Sequence, residues 1–499
     1  MTKQKNKGML EYIWNAFDVY SEHNAFFIEG KYYTYRQLSL KVYGIATLIS
    51  GYQDKIIGIV AENKVETYAS ILAVLLCGKT YVILHPDYPK ERNENITRQA
   101  GIKIILHCSE RVFPETTSYI ESICTNDLQK EYIHNITEVN ENENDYAYII
   151  FTSGSTGEPK GVPISRQNLN AFYTAYNHLG WEIDETDRML QMFELTFDVS
   201  IVSFLYPLTL GACVYTVSHE GIKYLNIIEI MERYKLTFAA ISPSLLQLLL
   251  PYFSEIYLPN LKYLIVTAEA SNAKLLSEFR RCAPNATFIN LYGPTESTIY
   301  CTAYTIPPTG CKHHNGMIAI GKPFYGIKVC LMNEEGKPVP FNAEQAGELW
   351  VSGKQVMKGY WKAPEKSEIA LVKGLDGNIY YKTGDLCRID EEGDIIYCGR
   401  KDYQVKVQGF RIELSEIEYV VKTYFNDQHN AVVIPKYPEG RGCELHLVIE
   451  DTEFNKKALH EYICSKLPIY MVPKYIHGIA NFPLNTSNKI DRRKIHELI

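Results

Sequence analysis

Between Asp145 and Ser165 the chain reads DYAYIIFTSGSTGEPKGVPIS, and no other stretch limits the fold so tightly. Tyr146 to Phe151 is a short aromatic and β-branched run, the mark of a buried strand. It breaks into Thr152-Ser153-Gly154-Ser155-Thr156-Gly157-Glu158-Pro159-Lys160-Gly161. Glycines permit positive φ and close approach of backbone to a ligand. Hydroxyls, exposed amides and the mobile cation of Lys160 then equip the loop to hold an anion of several oxygens, most simply a nucleotide triphosphate. The common P-loop needs Gly-Lys adjacent before Ser or Thr, and here Glu158 and Pro159 intervene. Read without further context, such a Gly/Ser/Thr cluster also fits a solvated loop.

The surrounding chain predicts an α/β fold. A hairpin leading into a helix is expected over 30–50, strands over Ile57–Val60, Tyr81–Leu84 and Ile102–His107, and an apolar helix over Thr67–Cys77. Strands alternating with helices over short connections predict a parallel sheet, with the loop at the carboxyl end of a strand, where open sheets bind ligands. Ser165 is a credible N-cap, and Leu169, Phe172, Tyr173 and Tyr176 recur at helical spacing. Val199 to Val217 is uncharged and about one bilayer span long, but Pro207 and Gly211 interrupt it, so a buried helix followed by a buried strand is expected. A boundary near Arg400 divides the chain into 1–401 and a small α+β part, 402–499, of a size that can fold alone.

A net charge of −7 gives no reason to expect nucleic-acid binding. The twelve cysteines form no Cys-x-x-Cys pair, which argues against disulfide frameworks and ribbon zinc sites and fits a reducing cytoplasm. Cys311-Lys312-His313-His314 lacks a second ligand pair. Lysines at 3, 5 and 7 precede no apolar core segment, so no signal peptide is expected.

The loop string resembles the phosphate loop of the adenylate-forming (ANL) superfamily: acyl-CoA synthetases, luciferases and the adenylation enzymes of nonribosomal peptide synthesis. Further motifs follow in that family's order. Asn290-Leu291-Tyr292-Gly293-Pro294-Thr295-Glu296 follows an expected strand, Thr287–Ile289. A tyrosine can stack on a purine, a threonine hydroxyl can reach a phosphate and a glutamate can ligate Mg²⁺. The resemblance assigns those roles to Asn290, Tyr292, Thr295 and Glu296. Tyr381 to Asp385 and Ile395 to Arg400 are expected to pair as a hairpin, bringing Asp385 near Tyr397 and Arg400. A carboxylate suits ribose hydroxyls, and by resemblance Asp385 grips the ribose with help from Arg400. Lys401 to Glu413 resembles the hinge and the motif after it, with Asp402 as pivot and Gln408 where the family has a basic residue. Lys489, in Asn485-Thr486-Ser487-Asn488-Lys489, reads alone as a surface lysine in a turn; the resemblance makes it the catalytic lysine. Asn488 stands where the family has glycine.

Asp198, beside so much apolar sequence, is costly to bury without a partner. It fits an N-cap of the following helix. In peptide-synthetase adenylation enzymes and D-alanine–D-alanyl carrier protein ligases, the matching aspartate binds the substrate α-ammonium, which acyl-CoA synthetases do not need. The matching pocket positions are Asp198, Val199, Val202, Ala240, Ile265, Thr267, Leu291, Ile299 and Tyr300, with Lys489 at the mouth. They imply an uncharged side chain, small or medium and apolar. The C-terminal passages look similar to the D-alanine ligases, although Thr267, Leu291 and Tyr300 depart from them.

The resemblance implies the ANL fold and an enzyme that uses ATP and Mg²⁺ to form an aminoacyl-adenylate. The chain stops soon after Lys489, which implies transfer to the phosphopantetheine thiol of a carrier protein supplied in trans, by a cytoplasmic monomer without membrane contact. The alternatives are an acyl- or aryl-CoA synthetase and, from another class, a non-catalytic nucleotide-binding protein.

Overall fold

The structure, a computed structural model, describes residues 8–109, 120–126, 142–154, 158–218, 220–340, 345–438, 442–484 and 490–499. Ser155, Thr156, Gly157 and Lys489, together with the lysines at 3, 5 and 7, lie outside the described residues.

Two mixed sheets dominate. One runs in the order Glu121–Cys124, Ile104–His107, Ile56–Val60, Thr80–Leu84, Tyr146–Thr152, Lys160–Ser165. Its neighbours pair in parallel except the last two, which form an antiparallel hairpin. The expected parallel sheet is therefore present, and the loop closes a hairpin at its edge. The second sheet is parallel from Asn24–Ile28 through Cys213–Thr216, Arg188–Gln191, Phe238–Ile241 and Tyr263–Val266 to Thr287–Tyr292, with antiparallel strands at both edges. Strands buried on both faces read as continuous apolar runs, as in Tyr80s-strand residues Tyr81, Val82, Ile83 and Leu84, all buried.

Local signals explain the helices that flank these sheets. Ser165 caps the helix Arg166–Asn177, accepting from the Asn168 amide while the Asn168 side chain accepts from the Ser165 amide. Leu169, Phe172, Tyr173 and Tyr176 form its buried face. The uncharged stretch after Asp198 is the buried helix Asp198–Leu210, with Pro207 inside it, followed by the buried strand Cys213–Thr216. Among the described residues no helix is long and apolar enough to cross a membrane. The N-cap alternative for Asp198 fails: Phe197 holds that position with no side-chain cap, and Asp198 is the first helical residue.

A third sheet holds the hairpin Ile379–Ile389/Ile395–Arg400, in which Asp385 lies opposite Arg400. Beyond it, Gln404–Val407 and Phe410–Glu413 make a hairpin turned by Gln408 and Gly409, with φ of 52° and 86°. Positive φ at both turn residues is the tight two-residue turn that matches strand twist. The strands Ala431–Lys436, Glu444–Ile449 and Tyr475–Gly478, with two helices, enclose a separate apolar core that includes Ile412, Ile417, Leu447 and Ile463.

Candidate active site

The motifs converge on one cavity of about 570 Å³, walled by the ends of Tyr263–Val266 and Thr287–Tyr292, by Asp385, Tyr397 and Arg400, and by Lys406 of the small hairpin. Asn290 is fixed by donating to the Ala319 carbonyl at 2.9 Å. Tyr292 donates a short bond to Asp385, whose other oxygen takes Arg400 at 2.7 Å. Arg400 also grips both oxygens of Asp402, at 2.7 and 2.8 Å. Such two-point guanidinium–carboxylate contacts fix direction as well as distance, so the proposed pivot is tied to the ribose-side carboxylate through one arginine.

Glycine is required twice at the turns. A Cβ on Gly154 would fall 2.1 Å from the Glu158 carbonyl oxygen, and one on Gly293 would fall 2.5 Å from that of Ile299. After Pro294 the backbone is strained: Thr298 and Ile299 take φ of 61° and 69°, rare for a β-branched residue. Gln355 holds this turn. Its carbonyl accepts from the Thr298 hydroxyl at 2.5 Å, and its amide donates to the Tyr300 carbonyl at 2.8 Å.

Glu296 is wholly buried and surrounded by cationic and donor groups. Arg411 lies 2.7 Å away, Lys160 3.5 Å away, and the Tyr360 hydroxyl donates at 2.8 Å. Burial alone would raise its pKa, but Arg411 and then Lys160 outweigh that and hold it well below the usual carboxylate range. Lys160 is itself pushed down, by burial and then by Arg411.

Asp198 has the opposite surroundings. It is 7% exposed. Burial raises it to about 6, against a hydrogen bond from Thr295 and one from the Val199 amide. Its Oδ2 has no hydrogen-bond partner. Val199, Val202, Ala240, Ile265, Leu291, Ile299 and Tyr300 all fall in one buried apolar cluster, and Thr267 is 2% exposed. Tyr81 and Tyr148 stand beside each other on adjacent strands, ring centroids 5.6 Å apart, with buried, unpartnered hydroxyls. The Asp198 charge raises both.

The phosphate loop contacts the small hairpin. Ser153 donates to the Arg411 carbonyl at 2.9 Å and accepts from the Glu413 amide at 3.1 Å. The Gly154 amide donates to Glu416 at 3.0 Å, and Glu416 pairs with Arg92 at 2.7 Å. Glu269 accepts from the Gly409 amide at 2.6 Å and the Ser244 amide at 2.9 Å. The Thr152 hydroxyl is buried without a partner. On either side of Lys489, Leu484 bridges Ile490, which packs in the small part's own apolar cluster; neither lines the cavity. Sequence reading missed Arg92, Tyr360, Glu269, Glu416 and the partner role of Arg411. Only Arg411 carried a signal, its place after the Gln408-Gly409 turn in a motif already singled out.

Residues 13–361 match the family model described as AMP-binding enzyme. Tyrocidine synthase 3 of Brevibacillus parabrevis is 30% identical over 488 residues, which is 95% of this chain and 7% of that protein. The chain spans between 6% and 44% of the length of the curated relatives it matches. In fold it is similar to the Vibrio cholerae adenylation domain AlmE, solved with glycyl-adenosine-5′-phosphate, at TM-score 0.88 and 24% identity over 100% of this chain and 98% of that one. It is also similar to holo-PA1221, a nonribosomal peptide synthetase protein containing adenylation and PCP domains, at TM-score 0.85 and 22% identity over 99% and 84%. With the ordered motifs gathered round one cavity and the family model covering most of the chain, this protein belongs to the AMP-binding enzymes, adenylate-forming ligases similar to the adenylation domains of nonribosomal peptide synthetases.

Proposed function

We propose that the chain activates an amino acid with ATP as aminoacyl-adenylate and passes the acyl group to the phosphopantetheine thiol of a separate carrier protein. The observation that carries the substrate class is Asp198: a buried carboxylate with one oxygen unpartnered, beside an apolar cluster. A buried charge is stable only when paired, and an α-ammonium supplies the partner. That AlmE was solved with an aminoacyl-adenylate is in keeping with this.

In this reading Tyr292 and Asn290 flank the adenine, and Asp385 holds the ribose. Lys160 and the loop steady the terminal phosphates. Glu296 suits a divalent cation, because its hard carboxylate oxygens already draw two cationic side chains. Mg²⁺ bound there would neutralise phosphate oxygens. The two parts, 1–401 and 402–499, turn about Asp402, which carries Lys489 into the cleft for adenylate formation and the small hairpin into it for transfer. Pyrophosphate exchange over both enantiomers of the proteinogenic amino acids, beside amine-free carboxylic acids, tests the reading. Exchange with amine-free acids alone would overturn it in favour of a CoA synthetase.

A further inference from the structure

The strongest unexplained feature is an acid from the small part lodged in the phosphate loop. The Gly154 amide, one of the donors that equips this loop for an anion, donates to Glu416 at 3.0 Å. Glu416 is wholly buried and its other oxygen holds the buried Arg92. Nearby, Ser153 is engaged by the backbone of Arg411 and Glu413, while the Arg411 guanidinium sits 2.7 Å from Glu296. The small part thus presents an anion to the loop and a cation to Glu296, the same arrangement of charge as a metal-bound polyphosphate.

We propose that the segment Phe410–Glu416 and the terminal phosphates of the nucleotide compete for one site, with the Glu416 carboxylate standing where a phosphate oxygen binds and Arg411 where its counter-cation binds. This rests on reading residues 152–160 as a phosphate loop. Two buried carboxylates, Glu416 and Glu296, are never left without a partner in either arrangement. Leaving a buried charge unpaired is strongly unfavourable, so one occupant leaves as the other arrives. By linkage, polyphosphate must weaken docking by the same factor that docking weakens polyphosphate binding. Pyrophosphate departure is then coupled to arrival of the hairpin, without any signal from the amino-acid pocket.

Hydrogen exchange of the full chain, followed by mass spectrometry over residues 408–416, reads docking directly through the Gly409 and Glu413 amides, both bonded to the large part. The probe is inorganic pyrophosphate with MgCl₂, its binding measured in parallel by calorimetry. Pyrophosphate is expected to speed exchange in this segment. Glu416→Gln keeps the shape and removes the charge, and Arg411→Ala removes the cation. Each should bind pyrophosphate more tightly, by roughly fivefold or more, the lower end of ordinary coupling factors. Binding with unchanged exchange over 408–416, or variants with unchanged affinity, overturns the competition. Absence of binding to the wild type and both variants overturns the phosphate-loop reading as well.

Discussion

Asp198 and Glu296 are both buried acids of the same cleft, near enough that the Glu296 charge helps raise Asp198, yet their electrostatic states are opposite. Glu296 is saturated by Arg411, Lys160 and Tyr360 and held ionised. Asp198 keeps one oxygen unpartnered and is raised to about 6. The difference teaches that burial alone does not set an acid's role; the supply of partners does. Glu296 is provisioned by the protein and trades cations, whereas Asp198 depends on a substrate to bring one.

The largest test of this contrast is Asp198→Ala. Losing one member of a buried charge pair costs roughly 3–5 kcal/mol, so the amino-acid KM in pyrophosphate exchange should rise by about 10² or more, with the ATP KM nearly unchanged. An equal rise in both would erase the contrast. Glu296→Gln should do the reverse, lowering the rate of adenylate formation by about 10², the scale of a lost electrostatic group at a reacting centre, with little change in amino-acid KM.

Stability separates the two acids again. The folded Asp198 keeps its proton up to about 6, against an ordinary 3.8. Stability is therefore lost as pH rises between those values, by on the order of 3 kcal/mol. Asp198→Asn should recover up to that amount at pH 7, in urea unfolding, and flatten the dependence. Glu296, depressed, has the opposite sign: its contribution is present above the ordinary glutamate range and is lost only on further acidification. In the pH profile of exchange, the amino-acid KM should rise about tenfold per unit below pH 6, where Asp198 protonates and can no longer pair with an ammonium. The smallest effect belongs to Tyr148→Phe. Removing one unpartnered hydroxyl should shift the amino-acid KM less than about tenfold, the scale of a single hydrogen bond; a larger shift would make that hydroxyl a direct substrate contact.

Much of the frame was legible from local rules. Ser165 capped its helix, the Asp385–Arg400 pairing followed from a hairpin with a Glu-Glu-Gly-Asp turn, and the glycines at 154 and 293 stand where a side chain would collide with backbone. The role offered to Asp198 as a cap was not borne out, because capping depends on a one-residue shift in where the helix starts. Gln355, Tyr360, Glu269 and Arg92 carried no signal. They act through partners dozens to hundreds of residues away, and a lone polar residue in a helix or loop reads as solvated surface.

What the amino-acid order determined by itself was local and short-ranged: strand, loop, turn and cap chemistry, and hence a nucleotide cradle at a sheet end. Which charges meet was decided only on folding. Gly154 reaches Glu416 across 262 residues and Arg411 reaches Glu296 across 115. Pairing at that separation depends on how sheets and the small part pack, since the energy of a buried charge is set by the few ångströms around it rather than by its neighbours along the chain.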